Sequence, residues 1–424
     1  LWLAIARSHY RFSCRAFNER AARGGGHVRT LGACALAVLA LGVAGCERKK
    51  APQASAGDAS SGAPPPPASD HILIGHVASL SGAEARFGQS TDHGVRLAVN
   101  EQNARGGVKG RVVEVRTLDD QGKPEEAAVA ATRLASQEHV NVLIGEVASS
   151  RSLAMAPVAD AYQVPMISPS STSPGVTKDG ERTRPYVFRV CFIDPFQGMV
   201  MARFARESLK LDRVAILRDA GNDYSVGLAE FFGARFKELG GAVVDDDSYK
   251  AGDQDFKAQL TRLNAHDPQA VYVPGRSTDV ALIARQAREL GMKQPLLGGD
   301  GWDSAKLFEI GGKAVEGSFF SNHYSHEDPS PRIREFVKRY TQAWGEVPDG
   351  LAAMGYDAAR VAMDAAARAG ELGGAALKDA LASTKGFAGV TGVITIDQDH
   401  NAVKPAVVLE VKNGAARYVT TVKP

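Results

Sequence analysis

Cysteine is scarce in this chain of 424 residues, which has four, at positions 14, 34, 46 and 191. The first two lie upstream of an apparent cleavage point and Cys46 falls within a modification signal, so no intrachain disulfide is expected. An excess of charge of one sign is also missing: Lys and Arg number 50 against 48 Asp and Glu, with no long basic tract. That balance gives no reason to expect a nucleic-acid partner. The sequence holds no G-x-S-x-G elbow, no G-x-x-x-x-G-K-[ST] loop and no H-E-x-x-H, and Gly299-Asp300-Gly301 lacks the third glycine of a dinucleotide fingerprint. His323, His326 and Glu327 have a spacing possible for a metal, but they fall in a polar stretch without a clear further partner. Neither an enzyme nor a cofactor nor a metal site is therefore expected. The apolar run at 31–44 is too short for a comfortable membrane span.

That run belongs to a different kind of segment. Residues 1–27 are rich in Arg and Gly, lack any period and begin at Leu1, so they read as an upstream extension with the start near Val28. The run itself fits the core of a signal peptide. It ends in Val43-Ala44-Gly45-Cys46, which resembles the bacterial lipobox and makes Cys46 the expected lipidated residue and membrane anchor. The alternative is a soluble-export signal with an incidental cysteine. Residues 46–70 then carry Pro, Ala, Ser and Gly, with four prolines at 64–67, and cannot bury enough apolar surface to order themselves. As a flexible tether they would hold a folded body about 25 to 30 Å from the membrane. Arg48, Lys49 and Lys50 suit anionic headgroups.

The length suggests about two domains. From His71 short apolar runs alternate with amphipathic helices. Strands at 72–77 and 112–115 are each followed by a helix, one marked by Val95, Ala98 and Val99, the next by Ala127, Ala130, Ala131, Leu134 and Ala135. The stretch 141–174 centres the pattern. A strand at 142–144 leads through Gly145 to Ser149, Ser150 and Ser152 at a helix start, and a strand at 164–167 ends in Ser168, Ser170, Ser171 and Thr172. A helix start has unpaired N–H groups and partial positive charge, and two neighbouring parallel strands ending in hydroxyls build a crevice, so an anion is the expected occupant. The plain alternative is that these residues are ordinary caps and turns. A second series follows: a helix at 197–209, a strand at 214–217, a helix with Leu228, Phe231, Phe232 and Phe236, a strand at 270–273, a helix with Val280, Ile283, Ala284 and Ala287, and a strand at 295–297. After a polar loop at 321–331 come helices at 331–344 and 350–369, then three short strands within 392–422. Strand-helix alternation of this kind means parallel sheets covered by helices.

The stretches IGHVASLSGAEARFGQ, NEQNARGGVKGRVVEV, DDQGKPEEAA, VLIGEVASS, VPMISPSST, DAGNDYSVG, LLGGDGW and MGYDAARV resemble, in order, the periplasmic binding proteins of branched-chain amino acid ABC importers. The resemblance implies an α/β fold of two Rossmann-like lobes with mostly parallel sheets, joined by a three-crossing hinge. Residues 71–190 plus 323–395 would form lobe 1, and 191–322 plus 396–424 lobe 2. It implies that Ser149 and Thr172, beside Ser150, hold a ligand carboxylate, that the Ser170 carbonyl and Asp300 take the ammonium, and that Tyr224 closes over the ligand. Such a zwitterion brings one charge of each sign, and each needs a counter-charge out of water. Phe87 and Arg276 stand where the family has tyrosines lining the pocket, and Glu146 where it has an uncharged residue or a histidine. Arg276 would select an acidic or polar ligand, or else be a solvated loop arginine. The expected partners are an amino acid or related carboxylate, membrane permease subunits, and the membrane itself through Cys46. The rival role is a sensor of a small amide or aromatic acid that reports to a regulator.

Overall fold

The structure, a computed structural model, describes residues 71 to 424; the signal-like run, Cys46 and the tether lie outside the described residues. The first sheet is built from β1 (His71–Ala78), β2 (Val112–Asp119), β3 (Val142–Ile144) and β4 (Met166–Ser168). Helices α1 (Ala85–Ala104), α2 (Pro124–Ser136) and α3 (Ser149–Tyr162) alternate with them. A small hairpin of β5 (Lys178–Asp179) and β6 (Arg182–Thr183) precedes β7 (Val187–Arg189), which completes the sheet. Its order is β2-β1-β3-β4-β7, all parallel. Strands β3, β4 and β7 are buried along their whole length, as expected of parallel strands covered on both faces.

The second series opens with α4 (Asp194–Arg203), which runs on as a π-helical turn over Phe204–Ser208. Then come β8 (Arg213–Asp219), α5 (Asp223–Glu238), β9 (Ala242–Tyr249), α6 (Lys257–Ala265), β10 (Ala270–Tyr272), α7 (Ser277–Glu289), β11 (Leu296–Gly298), α8 (Ala305–Gly311) and β12 (Phe319–Asn322). The last part holds α9 (Pro331–Trp344), α10 (Gly350–Arg368), α11 (Gly374–Ala382), a three-stranded sheet of β13 (Phe387–Gly389), β14 (Gly392–Ile396) and β15 (Ala402–Val403), and a final pair, β16 (Ala406–Lys412) and β17 (Ala415–Val422). The second sheet runs β17-β16-β12-β11-β10-β8-β9, parallel except for β16 and β17.

Several elements differ from the sequence expectation. Strand β9 carries Asp245, Asp246 and Asp247 on the edge of the sheet, so it lacks the apolar run by which a strand is recognised. The polar stretch at 321–331 begins inside β12, which is paired on both sides. The chain passes between the sheets after β7, after β12, and again at residues 404–405. This third passage falls later than residue 395: β14 pairs with β15, and the turn at 397–401 folds back on β7, where Arg189 N donates to the His400 carbonyl at 3.1 Å. The chain re-enters the second sheet at β16, followed by β17.

Helices α1 and α10, far apart in sequence, meet at backbone contact. A Cβ on Gly94 would lie 2.0 Å from the Ala352 carbonyl oxygen, and one on Gly355 would lie 2.4 Å from that of Thr91. Helix α10 is buried nearly all round, the pattern of a core helix. Gly94→Ala should therefore force the helices apart and cost about 3 kcal/mol or more, the upper end of overpacking penalties. A urea midpoint equal to that of the parent would refute this contact.

Candidate ligand-binding site

The carboxyl ends of β3 and β4 in one sheet and of β8, β10 and β11 in the other lie at the same cleft, where ligands of open α/β sheets bind. Helix α3 follows β3 after a four-residue turn that ends at Ala148, which offers no side-chain cap. The first N–H groups of this helix are thus left to something other than a capping side chain. Ser149 is its first residue, 1% exposed, and its Oγ accepts from Ser173 N at 3.2 Å. That bond ties the start of α3 to the loop after β4. Ser150, next along, is half-buried. In the loop, Ser170 Oγ donates to the Val147 carbonyl at 3.3 Å. Thr172 is fully buried, with its hydroxyl against the Asp194 carboxyl. Four of the expected residues, Ser149, Ser150, Ser170 and Thr172, are therefore brought together.

Beneath this rim lies a charged cluster of which the sequence reading noticed only Glu146. One Glu146 oxygen accepts from Ser79 N and Ser79 Oγ, both at 3.1 Å. The other accepts from Ala148 N at 2.7 Å and from Arg151 Nε at 2.8 Å. Asp120 joins through Ser79 Oγ at 2.7 Å. Burial, with the neighbouring Glu146 charge, pushes the Asp120 carboxyl up to about 6. Arg151 also holds Glu84 at 2.5 Å. Burial raises the Glu84 carboxyl, but Arg151 and Arg276 outweigh it and keep it below its ordinary value.

From the other sheet, Asp300 and Tyr224 reach the same place. Asp300, just after β11, is 7% exposed. Its Oδ1 accepts from Gln197 Nε2 at 2.8 Å, and its Oδ2 lies 3.1 Å from His323 Nε2. Burial pushes Asp300 up, yet the His323 bond and charge, Gln197 and Arg276 together hold it below the usual carboxylate range. Burial lowers His323 in turn, against the opposing pull of Asp300. Tyr224, the second residue of α5, accepts from Gly301 N at 3.1 Å. His323 is thus committed to Asp300, while Glu327 binds Arg417 at 2.6 Å, and the two do not converge.

Arg276 spans the cleft. Its guanidinium lies 4.9 Å from the Tyr224 ring centre and 5.7 Å from that of Phe87. Its Nε is 3.7 Å from Glu84 Oε1. With 12% of its side chain exposed it is not a solvated loop arginine. Phe87 packs with Val147 and Leu351, and with Glu84 and Arg276 it lines an opening of about 170 Å³ between the sheets. Glu84, Arg151 and Gln197 carry no sequence signal because each is an isolated polar residue, and His323 stands out in the sequence only for its spacing to His326 and Glu327. Their role comes from partners 67 residues away for Arg151–Glu84 and 103 for Gln197–Asp300.

Two α/β sheets facing each other across a polar cleft, with a helix start on one side and a buried acid on the other, make the arrangement of a ligand-binding protein. The chain belongs to the periplasmic binding protein family, whose model matches residues 71–416. It is 31% identical over 349 residues to Leu/Ile/Val-binding protein homolog 2 of Brucella abortus, a match that covers 81% of this chain and 91% of that one. Among solved structures, it is similar to a leucine-binding protein, LivK, from Thermotoga maritima (42% identity, TM-score 0.79, covering 83% of this chain and 99% of that one). It is also similar to LivJ from Streptococcus pneumoniae in complex with isoleucine (34% identity, TM-score 0.79, covering 84% and 100%).

Arg151 is the cation on which the buried carboxylates depend. Arg151→Met should cost about 3 to 5 kcal/mol at pH 7, because it leaves charges without a partner. The loss should shrink below about pH 6, where Asp120 takes up a proton. Urea denaturation at both pH values checks this, and an undiminished midpoint at pH 7 would contradict it.

Proposed function

We propose that this protein is the extracytoplasmic substrate-binding component of an ABC importer, taking a branched-chain or related amino acid between two lobes. The observation that carries this reading is the opposition of the uncapped, hydroxyl-lined start of α3 to the buried Asp300. A zwitterion needs an electropositive cradle and a carboxylate a short distance apart, and the two sheets supply one each. The binding named for the leucine- and isoleucine-binding relatives supports the choice of amino acid. In this reading Ser149, Ser150 and Thr172 hold the ligand carboxylate, and Asp300 with the Ser170 carbonyl takes the ammonium. Tyr224 and Phe87 enclose the side chain. Glu84 already neutralises Arg276, so the arginine serves as part of the closing wall rather than as a receptor for an acidic side chain.

The lobes would be 71–190 with the segment that ends at the third passage, and the chain from 191 to β12 with the final pair of strands. Closure of one on the other follows from ligand contacts made by both, since only differential binding to the closed form shifts the equilibrium. Permease subunits would read the closed form. Cys46 would carry the lipid anchor, with the following residues as tether. Cys46→Ser should move the protein from the membrane pellet to the soluble fraction; retention in the pellet would refute the anchor.

The substrate is tested by thermal shift on ligand-stripped protein, because a ligand at about a hundredfold excess over its Kd adds about 2.7 kcal/mol of stability. Leucine, isoleucine or valine should raise the melting temperature, and glutamate should not. Ser149→Ala and Asp300→Ala should each weaken leucine binding by about 1.5 to 3 kcal/mol. Unchanged affinity in both variants would overturn the assignment of the site.

A further inference from the structure

A second opening, of about 440 Å³, lies among α1, α9, α10 and β13. Its α1 side is the end of that helix, Ala104 with the following Arg105. From there the chain turns into β2, whose Val112 pairs with His71 at the start of β1. The opening therefore reaches the edge where the first strands begin, whereas the ligand cleft lies at their carboxyl ends.

Four arginines line it, Arg105, Arg332, Arg339 and Arg360, against a single acid, Glu101. Glu101 is already spent: one oxygen accepts from Arg339 Nε and the other from the Tyr356 hydroxyl, both at 2.7 Å. Two other acids stand near. Asp357 has no exposed side-chain surface and accepts from Val390 N and Thr391 N. Glu335 is exposed at the rim, 4.0 Å from Arg339. The arginines are held by groups that leave their charge in place. Arg360 and Arg332 donate to successive carbonyls of β13, those of Ala388 at 3.1 Å and Gly389 at 3.0 Å. Arg360 also lies 5.5 Å from the Tyr356 ring centre and 5.0 Å from that of Phe387, which fixes its guanidinium. The Arg105 side chain has no hydrogen-bond or ion-pair partner among the described residues. A bond to a carbonyl uses one of the five N–H donors of an arginine and cancels no charge.

Guanidiniums gathered around one space repel one another, and their unused forks match the oxygens of a carboxylate or phosphate. We propose that this opening is a second binding site, for a phosphate-bearing anion, separate from the cleft. A phosphate group fits it better than a lone carboxylate for two reasons. Its oxygens point in several directions, as donors placed around a cavity require, and it carries up to about two negative charges at neutral pH. The same chemistry is offered by a free polyphosphate and by the headgroup of an anionic phospholipid. The site does not depend on which ligand the cleft takes.

Calorimetric titration of the full chain with pyrophosphate and with dihexanoylphosphatidylglycerol, kept below its micelle concentration, tests the proposal. Dihexanoylphosphatidylcholine, whose headgroup has no net charge, is the control. The two anionic probes should compete for one site and bind more weakly as salt is raised past about 0.1 M. Tighter binding of the lipid marks a headgroup site, and tighter binding of pyrophosphate a site for a free phosphate compound; each supports the proposal. Arg105→Gln and Arg332→Gln should each weaken the tighter probe by about tenfold or more. Arg105→Gln breaks no contact, so without anion it should melt no lower than wild type, and its lost affinity then reports the site rather than the fold. The proposal is overturned if neither anionic probe binds, if the phosphatidylcholine binds as well as the phosphatidylglycerol, or if both variants keep wild-type affinity.

Discussion

A charge taken out of water needs a counter-charge, and most of the architecture around the cleft answers that requirement. Glu146 and Asp120 are both buried at the carboxyl edge of the first sheet, and Arg151 is the cation that makes their burial tolerable. Arg151 extends from the first turn of α3, so the helix whose N-terminus faces the cleft is also fixed by its own side chain to the strand ends beneath it. Position and charge balance are thus supplied by one residue.

The network does not stop at the first sheet. Arg151 holds Glu84, Glu84 faces Arg276, and Arg276 lies against rings from both sides of the cleft. A second link runs from Gly350 N to Asp303 at 2.6 Å. Both links join elements of opposite sheets through single polar contacts rather than broad apolar packing. The apolar clusters that carry most of the burial largely stay on their own side. Cohesion within each half and polar contact between halves is the distribution expected of parts that move as bodies.

Much of the fold was legible because buried parallel strands are short apolar runs and their helices keep one apolar face. The reading failed where that signature is absent: β9 is an acidic edge strand, and β15 has two residues held by a turn that folds back on β7. At the site, the serines and Thr172 were visible because they cluster in sequence, and Asp300 because the stretch LLGGDGW resembles that of the family. Arg151 and Gln197 were invisible because nothing near them in sequence distinguishes them, and His323 was visible only through its spacing to His326 and Glu327, which pointed to a metal rather than to Asp300. What assigns them is a partner from another element, and pairing of that kind is created only by the fold. Arg276 was noticed, but its neutralising partner Glu84 was not, so its charge looked freer than it is.

The contact between α1 and α10 has a bearing on how the molecule is made. These helices touch at Gly94 and Gly355, and the whole of the second parallel sheet's helix-strand series lies between them in sequence. The first sheet can pair its strands as soon as they exist, yet the apolar face of α1 waits for a helix that comes late in the chain. Such a long-range closure is slow, since loop entropy is lost before the contact repays it. During that interval the half nearest the N-terminus is the more exposed to proteolysis and mispairing, although it is the first to be formed.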